Sequence, residues 1–181
     1  MKTVLFATGN ERKLREALEG CKGFDFKIEQ VKIDIDEIQS HDPSKISLNK
    51  ANAAFEVTKK PTIISDTSWK IPALKGFPGG YMKDVANWFT PSDFLNLMKG
   101  KKDKRLCFTE TLVYKDSKQT KVFSKEFWGE FASAPKGTGI SIEQVAKFDG
   151  FTIGERRDQG KMSYEAKDYI WVEFARWFDK L

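Results

Sequence analysis

The sequence predicts an α/β protein, because short apolar strands alternate with amphipathic helices along its first third. The apolar run at residues 4–7 is followed by a turn and by a helical pattern over residues 11–19. Alternating apolar and polar residues at 27–38 predict a half-buried strand, and helical spacing returns over residues 43–60. A further apolar run, 62–64, ends in polar residues. This repeated order of strand and helix indicates a sheet with helices packed against it.

The rest of the chain adds two short helices, a pair of strands and a final helix. In order, the predictions are helices over 81–89 and 91–98, strands over 106–114 and 122–131, and an amphipathic helix over 163–181. The strands are rich in aromatic and β-branched residues and are joined by a polar segment, which indicates an antiparallel hairpin. The aromatic side chains of the last helix are expected in the core and in a subunit contact. Residues 134–160 show no clear periodicity.

The composition fits one globular domain over residues 1–181, with room for two small lobes. The chain has 181 residues, a net charge of +5 and 40% hydrophobic residues, enough to bury a core without disulfides. Cys21 and Cys107 lie far apart and no leader pattern is recognised, which favours a reducing, cytoplasmic setting. No apolar run approaches the roughly 18 residues that span a bilayer, so a membrane protein is not expected. The positive charge suits nucleic acid, acidic lipid or a small phosphorylated ligand.

A phosphate-binding loop is indicated where the first strand gives way to the first helix. Backbone N–H groups and the positive end of the helix dipole face outward at such a point. Gly9 lets the backbone approach a phosphate, and Lys13 lies one turn into the helix as a cation. The alternative is that Thr8 or Asn10 only caps the helix and that Lys13 is one of 31 basic residues in solvent.

Carboxylates near the ends of two predicted strands indicate a Mg²⁺ site. Glu37, preceded by Asp34 and Asp36, ends one strand, and Asp66 lies just past another. If the two strands are neighbours, these side chains converge on the crevice where open α/β sheets bind ligands. Mg²⁺ prefers a few carboxylate oxygens together with water and substrate phosphates. The alternative is that each acid is an exposed loop residue.

Four other features of the sequence bear on the function. Lys50, in the second helix, is either a second phosphate contact or part of a solvated helix face. The run Gly76-Phe77-Pro78-Gly79 fits a loop that closes over a ligand or a plain connecting turn. His41 is the only histidine and is expected in a surface loop, which argues against a histidine-based metal site. The basic run 99–105 lacks interleaved aromatics, so a solvated loop is expected rather than a nucleic-acid site.

In this order, the motifs resemble the inosine triphosphate pyrophosphatase family of house-cleaning nucleotide hydrolases. The resemblance rests on five segments in register: Phe6-Ala7-Thr8-Gly9-Asn10-x-x-Lys13, Ile33-Asp34-Ile35-Asp36-Glu37-Ile38-Gln39, Ser47-Leu48-Asn49-Lys50-Ala51, Ser65-Asp66-Thr67 and Gly76-Phe77-Pro78-Gly79-x-Tyr81. Three shorter segments extend it through the hairpin: Cys107-Phe108-Thr109, Phe127-Trp128-Gly129 and Ala134-Pro135-Lys136-Gly137.

The resemblance implies a two-lobed α/β fold around a long mixed sheet with flanking helices, a nucleotide in the cleft between the lobes, and a homodimer. It also implies Mg²⁺-dependent hydrolysis of a nucleoside triphosphate between its α and β phosphates, which gives a monophosphate and pyrophosphate. The catalytic residues would be Lys13 and Asp66, the latter binding metal or positioning the attacking water, and Glu37 would hold Mg²⁺. The residues that would hold phosphates are Thr8, Gly9, Asn10, Lys13 and Lys50.

The chain departs from this family at three places. Where the family has two consecutive acids, Ser65 precedes Asp66, which implies a weaker or rearranged metal site. The base-reading aromatic-Gly-aromatic-Asp-Pro run is absent after residues 137–139. The late Ser-His-Arg motif is absent as well, where the chain has residues 162–167. The phosphate and metal roles therefore carry over, whereas the family's six-keto purine specificity does not.

The sequence favours a Mg²⁺-dependent nucleoside triphosphate pyrophosphatase with altered base preference. The alternative is a non-catalytic nucleotide-binding or nucleic-acid-binding protein on the same fold, in which Ser65 and the lost base motifs abolish turnover. The chain keeps four charged residues that the resemblance assigns to the site, namely Lys13, Glu37, Lys50 and Asp66. This favours the enzyme, because nucleotide binding alone would not need both the lysines and the acids. The expected partners are the triphosphate and a second copy of the chain, with neither a membrane nor nucleic acid.

Overall fold

A computed structural model describes residues 2–161 and 169–181 of the chain. The strands in these ranges are β1 Lys2–Ala7, β2 Phe26–Val31, β3 Thr62–Lys70, β4 Pro78–Gly79, β5 Arg105–Lys115, β6 Thr120–Phe131, β7 Ala146–Phe148 and β8 Phe151–Thr152. The α-helices are α1 Glu11–Gly20, α2 Pro43–Thr58, α3 Met82–Trp88, α4 Pro91–Leu97, α5 Ile153–Asp158 and α6 Ile170–Phe178. Short 3₁₀ turns lie at Pro72–Leu74 and Ser141–Gln144. The predicted α/β class is confirmed.

The described strands belong to one mixed sheet in the order β2-β1-β3-β5-β6-β7-β8, with β4 paired to β3. β1 runs parallel to β2 and to β3, and the crossovers that parallel pairing requires are supplied by α1 and α2. The pairs β3–β4, β6–β7 and β7–β8 are antiparallel. β5 and β6 form the predicted hairpin, joined by a turn in which Asp116 N–H donates to the Gln119 carbonyl at 3.1 Å. The predicted mixed sheet with flanking helices is therefore present.

The chain divides into two compact units. The described residues of the first unit are 2–67, 110–125 and 169–181, and those of the second are 68–109 and 126–161. The assignment of the whole chain to one domain stays a prediction. Within the described residues, no helix has the length and apolar character needed to cross a bilayer.

The core of the first unit is aromatic and centres on α6. Phe174 is fully buried, with its ring centroid 5.8 Å from that of Trp171 and 5.3 Å from that of Phe178. α6 lies close to α1 because Gly20 has no side chain, and a Cβ there would come within 2.6 Å of the Trp171 Cβ. The predicted core role of these aromatics is confirmed, and the predicted beginning of this helix, over 163–168, lies outside the described residues.

The core of the second unit is built from several short elements. Its buried apolar side chains include Trp69, Ile71, Phe94, Met98, Leu106, Ile142 and Val145. α3 and α4 lie within the predicted helical ranges, and Thr90 caps α4 while Pro91 occupies its first turn. The elements between 134 and 160 went unpredicted because each has only two to six residues, too few to show a period.

The strand predicted over 27–38 is too long, because β2 ends at Val31. The last residue of β1, Ala7, pairs with Val31, so no hydrogen-bonding partner remains for the residues that follow. Ile33 and Ile35 alternate with polar residues for a different reason, which is that they pack against an apolar cluster carried partly by α2. Residues 32–42 are therefore a loop held against α2.

The strand that carries Asp66 is longer than its apolar run predicts. β3 continues from Thr62 to Lys70, so Asp66 lies inside the strand and not past its end. The expectation that its strand neighbours the strand before Glu37 is wrong, because β1 lies between β2 and β3. The two carboxylates are therefore not brought together by adjacent strand ends.

Candidate functional site

The loop between β1 and α1 is fixed by its own polar side chains. Asn10 caps α1, since its Oδ1 accepts hydrogen bonds from the N–H groups of Arg12 at 2.9 Å and Lys13 at 3.3 Å. The Thr8 hydroxyl accepts a hydrogen bond from Asn10 N–H at 3.1 Å. Gly9 is exposed, and a Cβ built there would meet nothing within 4 Å. The capping alternative thus holds for Asn10, and the loop leaves open space beside Gly9.

Lys13 points from α1 toward β3 and is not a solvated surface lysine. Its Nζ donates a hydrogen bond to the main-chain carbonyl of Ser65 at 2.8 Å. Burial lowers the pKa of Lys13, the neighbouring Asp66 carboxylate acts in the opposite direction, and the Lys50 ammonium lowers the pKa further. These interactions place Lys13 in one electrostatic environment with Asp66 and Lys50.

Asp66 is held by hydrogen bonds on both of its carboxylate oxygens. Its Oδ1 accepts the N–H of Thr67 at 3.0 Å, and its Oδ2 accepts the hydroxyl of Ser47 at 3.3 Å. Ser47 is buried on α2, and the same hydroxyl lies 3.1 Å from the carbonyl of Pro43. Because a serine hydroxyl has a single hydrogen, it is shared between these two acceptors.

Ser47 is a site residue to which the sequence analysis assigned no role. It lies three residues before Lys50, so both side chains project from the same face of α2. A buried small polar residue next to a candidate lysine was the available signal. Its partner, Asp66, is 19 residues away, which is why no local pattern revealed the contact.

Glu37 and Lys50 form an ion pair. The distance from Lys50 Nζ to Glu37 Oε1 is 2.5 Å, and the exposed fractions of the two side chains are 20% for Lys50 and 39% for Glu37. The pair joins the 32–42 loop to α2. Lys50 acts electrostatically on Lys13, as Asp66 does, and its role as a phosphate contact stays a prediction.

The charges of the site are gathered from different elements of the first unit. Lys13 comes from α1, Lys50 from α2, Asp66 from β3 and Glu37 from the loop before α2. Within residues 2–161 and 169–181, no three His, Cys, Asp or Glu side chains cluster closely enough to hold a metal ion. The chain thus offers two separate carboxylates, a set that suits Mg²⁺ delivered with phosphates and water better than a metal caged by protein ligands alone.

The remaining candidates take structural positions. His41 lies exposed in the 32–42 loop, as predicted. The basic run 99–105 is largely exposed, and its Arg105 begins β5 and pairs with Asp103 at 2.8 Å. Pro78 and Gly79 form β4 against β3, so this segment is a connection that belongs to the sheet. The late motif position, 162–167, lies outside the described residues.

Comparisons with known proteins agree with the motifs. The model of the Ham1 family matches residues 4–168. A dITP/XTP pyrophosphatase of Saccharolobus solfataricus is 32% identical over 162 residues, covering 89% of this chain and 82% of that protein. An inosine triphosphate pyrophosphatase of Trypanosoma cruzi is 31% identical over 163 residues, covering 87% of this chain and 83% of that protein.

Solved structures resemble the whole chain in fold. A HAM1 protein from Coxiella burnetii superposes with a TM-score of 0.82 at 19% identity, covering all of both chains. The Ham1 protein of Staphylococcus aureus gives a TM-score of 0.79 at 20% identity and covers 99% of each chain. The resemblance drawn from the motifs is confirmed: this chain belongs to the Ham1 family.

Proposed function

We propose that this protein is a nucleoside triphosphate pyrophosphatase that releases a nucleoside monophosphate and pyrophosphate. The observation that carries the proposal is that Lys13 lies beside the Ser65-Asp66 segment, close enough to Asp66 and Lys50 for both charges to act on it, next to an open loop. Two ammonium groups and an acid suit a polyphosphate whose cleavage develops negative charge. The names of the relatives, dITP/XTP pyrophosphatase and inosine triphosphate pyrophosphatase, support this reaction class.

Each site residue has a role in this proposal. The groups that bind phosphate are Thr8, Gly9, Asn10, Lys13 and Lys50. Asp66 accepts a hydrogen bond from the attacking water and orients it, while the Lys13 ammonium neutralises charge that develops on the phosphate oxygens. A bond forms from the water oxygen to the α phosphorus, and the P–O link between the α and β phosphates breaks. Asp66 takes the proton that the water loses and then releases it to solvent. Pyrophosphate then leaves with the electron pair of that link.

Mg²⁺ is the metal that the donor set fits. Glu37 and Asp66 would hold it, and the ion would supply positive charge to the phosphate oxygens. In the ligand-free chain, Lys50 occupies Glu37 as its counter-cation. Glu37 would hold the metal through this carboxylate, and the neighbouring Lys50 ammonium would contact a phosphate. Ser65, which stands at the missing acid, contributes its main-chain carbonyl to Lys13 instead of a carboxylate to the metal.

The non-catalytic alternative rests on Ser65. Without a second consecutive acid, the chain could hold a nucleotide through its lysines and fail to turn it over. The position of Asp66 argues for turnover, because its two hydrogen bonds fix a carboxylate that simple phosphate binding would not need. Measured hydrolysis separates these two functions directly.

A homodimer and a cytoplasmic location complete the proposal. Tyr81, immediately before α3, is 40% exposed. An exposed aromatic side chain of this kind suits a protein interface. Cys21 and Cys107 are both buried free thiols, which fits a reducing compartment.

The test is product analysis with purified protein, Mg²⁺ and a panel of standard and deaminated nucleoside triphosphates. The proposal expects one pyrophosphate and one nucleoside monophosphate per turnover. Release of orthophosphate with a nucleoside diphosphate would place cleavage at another bond. No product from any triphosphate, with nucleotide binding retained, would establish the non-catalytic alternative.

A further inference from the structure

An exposed tryptophan stands on an open face of the sheet in the second unit. Along β6 the side chains alternate, so that Phe123 and Phe131 are buried whereas Glu126, Trp128 and Glu130 point to solvent. The Trp128 side chain is 48% exposed. The indole therefore offers an aromatic surface that is open to solvent on this face of the sheet.

The indole of Trp128 is held in place by a chain of polar contacts. Its Nε1–H donates to Glu126 Oε2 at 3.1 Å, and the other oxygen of Glu126 accepts from Lys70 Nζ at 2.5 Å. Lys70 Nζ also lies 5.0 Å from the centroid of the indole ring. The hydrogen bond from Lys70 lowers the pKa of Glu126, so this acid stays ionised. The ring is therefore oriented in advance, with its only polar atom satisfied.

The charges around the ring balance each other. Lys70 pairs with Glu126, and Arg105, whose guanidinium lies 5.8 Å from the ring centroid, pairs with Asp103. Because each cation has its own carboxylate, the cluster is a poor site for a polyphosphate. The Lys70 ammonium lies over the ring and the Glu126 carboxylate lies at its Nε1 edge, so the indole has a hydrogen-bond donor and an acceptor beside it. A flat, uncharged ring with hydrogen-bonding edges fits these groups.

We propose that Trp128 is a stacking platform for the base of a nucleotide, with Lys70 and Glu126 available to hydrogen-bond its edge. The choice of a nucleobase as ligand rests on the proposed function, while the platform itself follows from the contacts in the second unit. Stacking on an aromatic ring tolerates different bases. The nucleotide that carries this base binds in the second unit.

Inosine is the probe, because it carries a base and a ribose but no phosphate. Its binding to the protein is measured by saturation-transfer NMR in wild type, Trp128→Ser, Trp128→Phe and Trp88→Ser. Trp88 is the matched control, since it is 75% exposed in the same unit and has no ring or cation contact within the described part of the chain. Circular dichroism checks that each variant is folded. If Trp128→Ser is unfolded, Trp128→Phe, which keeps an aromatic ring, takes its place in the comparison.

The proposal expects Trp128→Ser to weaken inosine binding by about tenfold or more, Trp128→Phe to weaken it less, and Trp88→Ser to leave it unchanged. Equal binding in wild type and Trp128→Ser, or equal loss in Trp88→Ser, would overturn the proposal. So would a change in sedimentation mass in Trp128→Ser, which would make this face an interface between copies. Salt-dependent binding of single-stranded DNA without binding of inosine would likewise overturn it.

Hydrolysis of inosine triphosphate is measured in the same variants as a separate readout. Inosine binding needs neither phosphate nor turnover, so loss of the platform and failure of the proposed function are seen in different measurements.

Discussion

The ammonium group of Lys13 donates a hydrogen bond of 2.8 Å to the main-chain carbonyl of Ser65, the residue immediately before Asp66. This contact joins the first turn of α1 to the middle of β3. It brings a cation beside the one carboxylate of the Ser65-Asp66 pair. A triphosphate bound at the open loop next to Gly9 would therefore meet Lys13 and Asp66 together.

Replacing Lys13 tests this contact. Lys13→Ala should lower kcat/KM for triphosphate hydrolysis by about a hundredfold, because a fixed donor to developing negative charge is lost. Arg15→Ala is the control, since Arg15 is exposed on the same helix. The measurement is pyrophosphate release at saturating Mg²⁺. Equal losses in both variants would show that general positive charge, and not Lys13, binds the phosphates.

The lowered pKa of Lys13 predicts a pH dependence. Burial favours the neutral amine, so phosphate binding through Lys13 should fail at a pH below the 10.5 of an ordinary lysine. Lys13→Arg should move this alkaline limb upward, because a guanidinium stays charged. If both proteins lose activity at the same alkaline pH, Lys13 does not control that limb.

The same shift affects stability with a defined sign. Between the lowered pKa of Lys13 and 10.5, the unfolded chain binds more protons than the folded chain, so this residue makes the free energy of unfolding rise with pH. Urea denaturation of wild type and Lys13→Met across that range measures the effect. The part of the rise in the free energy of unfolding that Lys13 causes should be absent from Lys13→Met.

Loss of the Asp66 charge should abolish turnover and leave the fold intact. Asp66→Asn keeps the shape of the side chain and an oxygen that can accept from Ser47 or Thr67. We expect hydrolysis to fall by at least a hundredfold, with the thermal midpoint nearly unchanged. Full activity in this variant would remove Asp66 from the catalytic group.

Ser47 should act through Asp66. Ser47→Ala removes the hydroxyl that donates to Asp66 Oδ2, so the carboxylate is held less firmly and kcat should fall by about tenfold, with KM nearly unchanged. The free energy of unfolding should fall by about 1 kcal/mol, because one buried hydrogen bond is lost. Ser44→Ala is the control, since Ser44 is exposed in the first turn of α2. An unchanged kcat would limit Ser47 to supporting the helix.

The Glu37–Lys50 pair should report metal binding. Glu37→Gln should raise the Mg²⁺ concentration needed for half-maximal activity by about tenfold, because one metal ligand loses its charge. Stability should change by less than about 1 kcal/mol, as the pair is partly exposed. Glu56→Gln, which breaks the exposed pair with Lys59, serves as the control. An unchanged Mg²⁺ requirement would place the metal elsewhere.

The strand and helix order of the first third could be predicted because its elements are long enough to show a period. The 32–42 loop could not, since Ile33 and Ile35 alternate as strand residues do. Whether that segment forms a strand depends on where β1 ends, and a local pattern does not contain that information. The same limit applied to β3, whose polar second half continues as a strand in the sheet.

The charged residues of the site could be named from motifs, but their contacts could not. Lys13 and Ser65 are 52 residues apart, and Ser47 and Asp66 are 19 apart. Residues so far apart in the sequence come into contact only when α1, α2 and β3 pack together. The predicted route for Glu37, through neighbouring strand ends, was wrong for the same reason. The loop that carries Glu37 reaches Lys50 by packing along α2 instead.

Hydrolysis of the link between the α and β phosphates is the reaction that we propose for this site. The sharpest test is hydrolysis of inosine triphosphate in ¹⁸O-labelled water with Mg²⁺, with products identified by mass spectrometry. We expect equal amounts of inosine monophosphate and pyrophosphate, with one labelled oxygen per cleavage, and no reaction in Asp66→Asn. Inosine diphosphate with orthophosphate, or equal rates in wild type and Asp66→Asn, would contradict it.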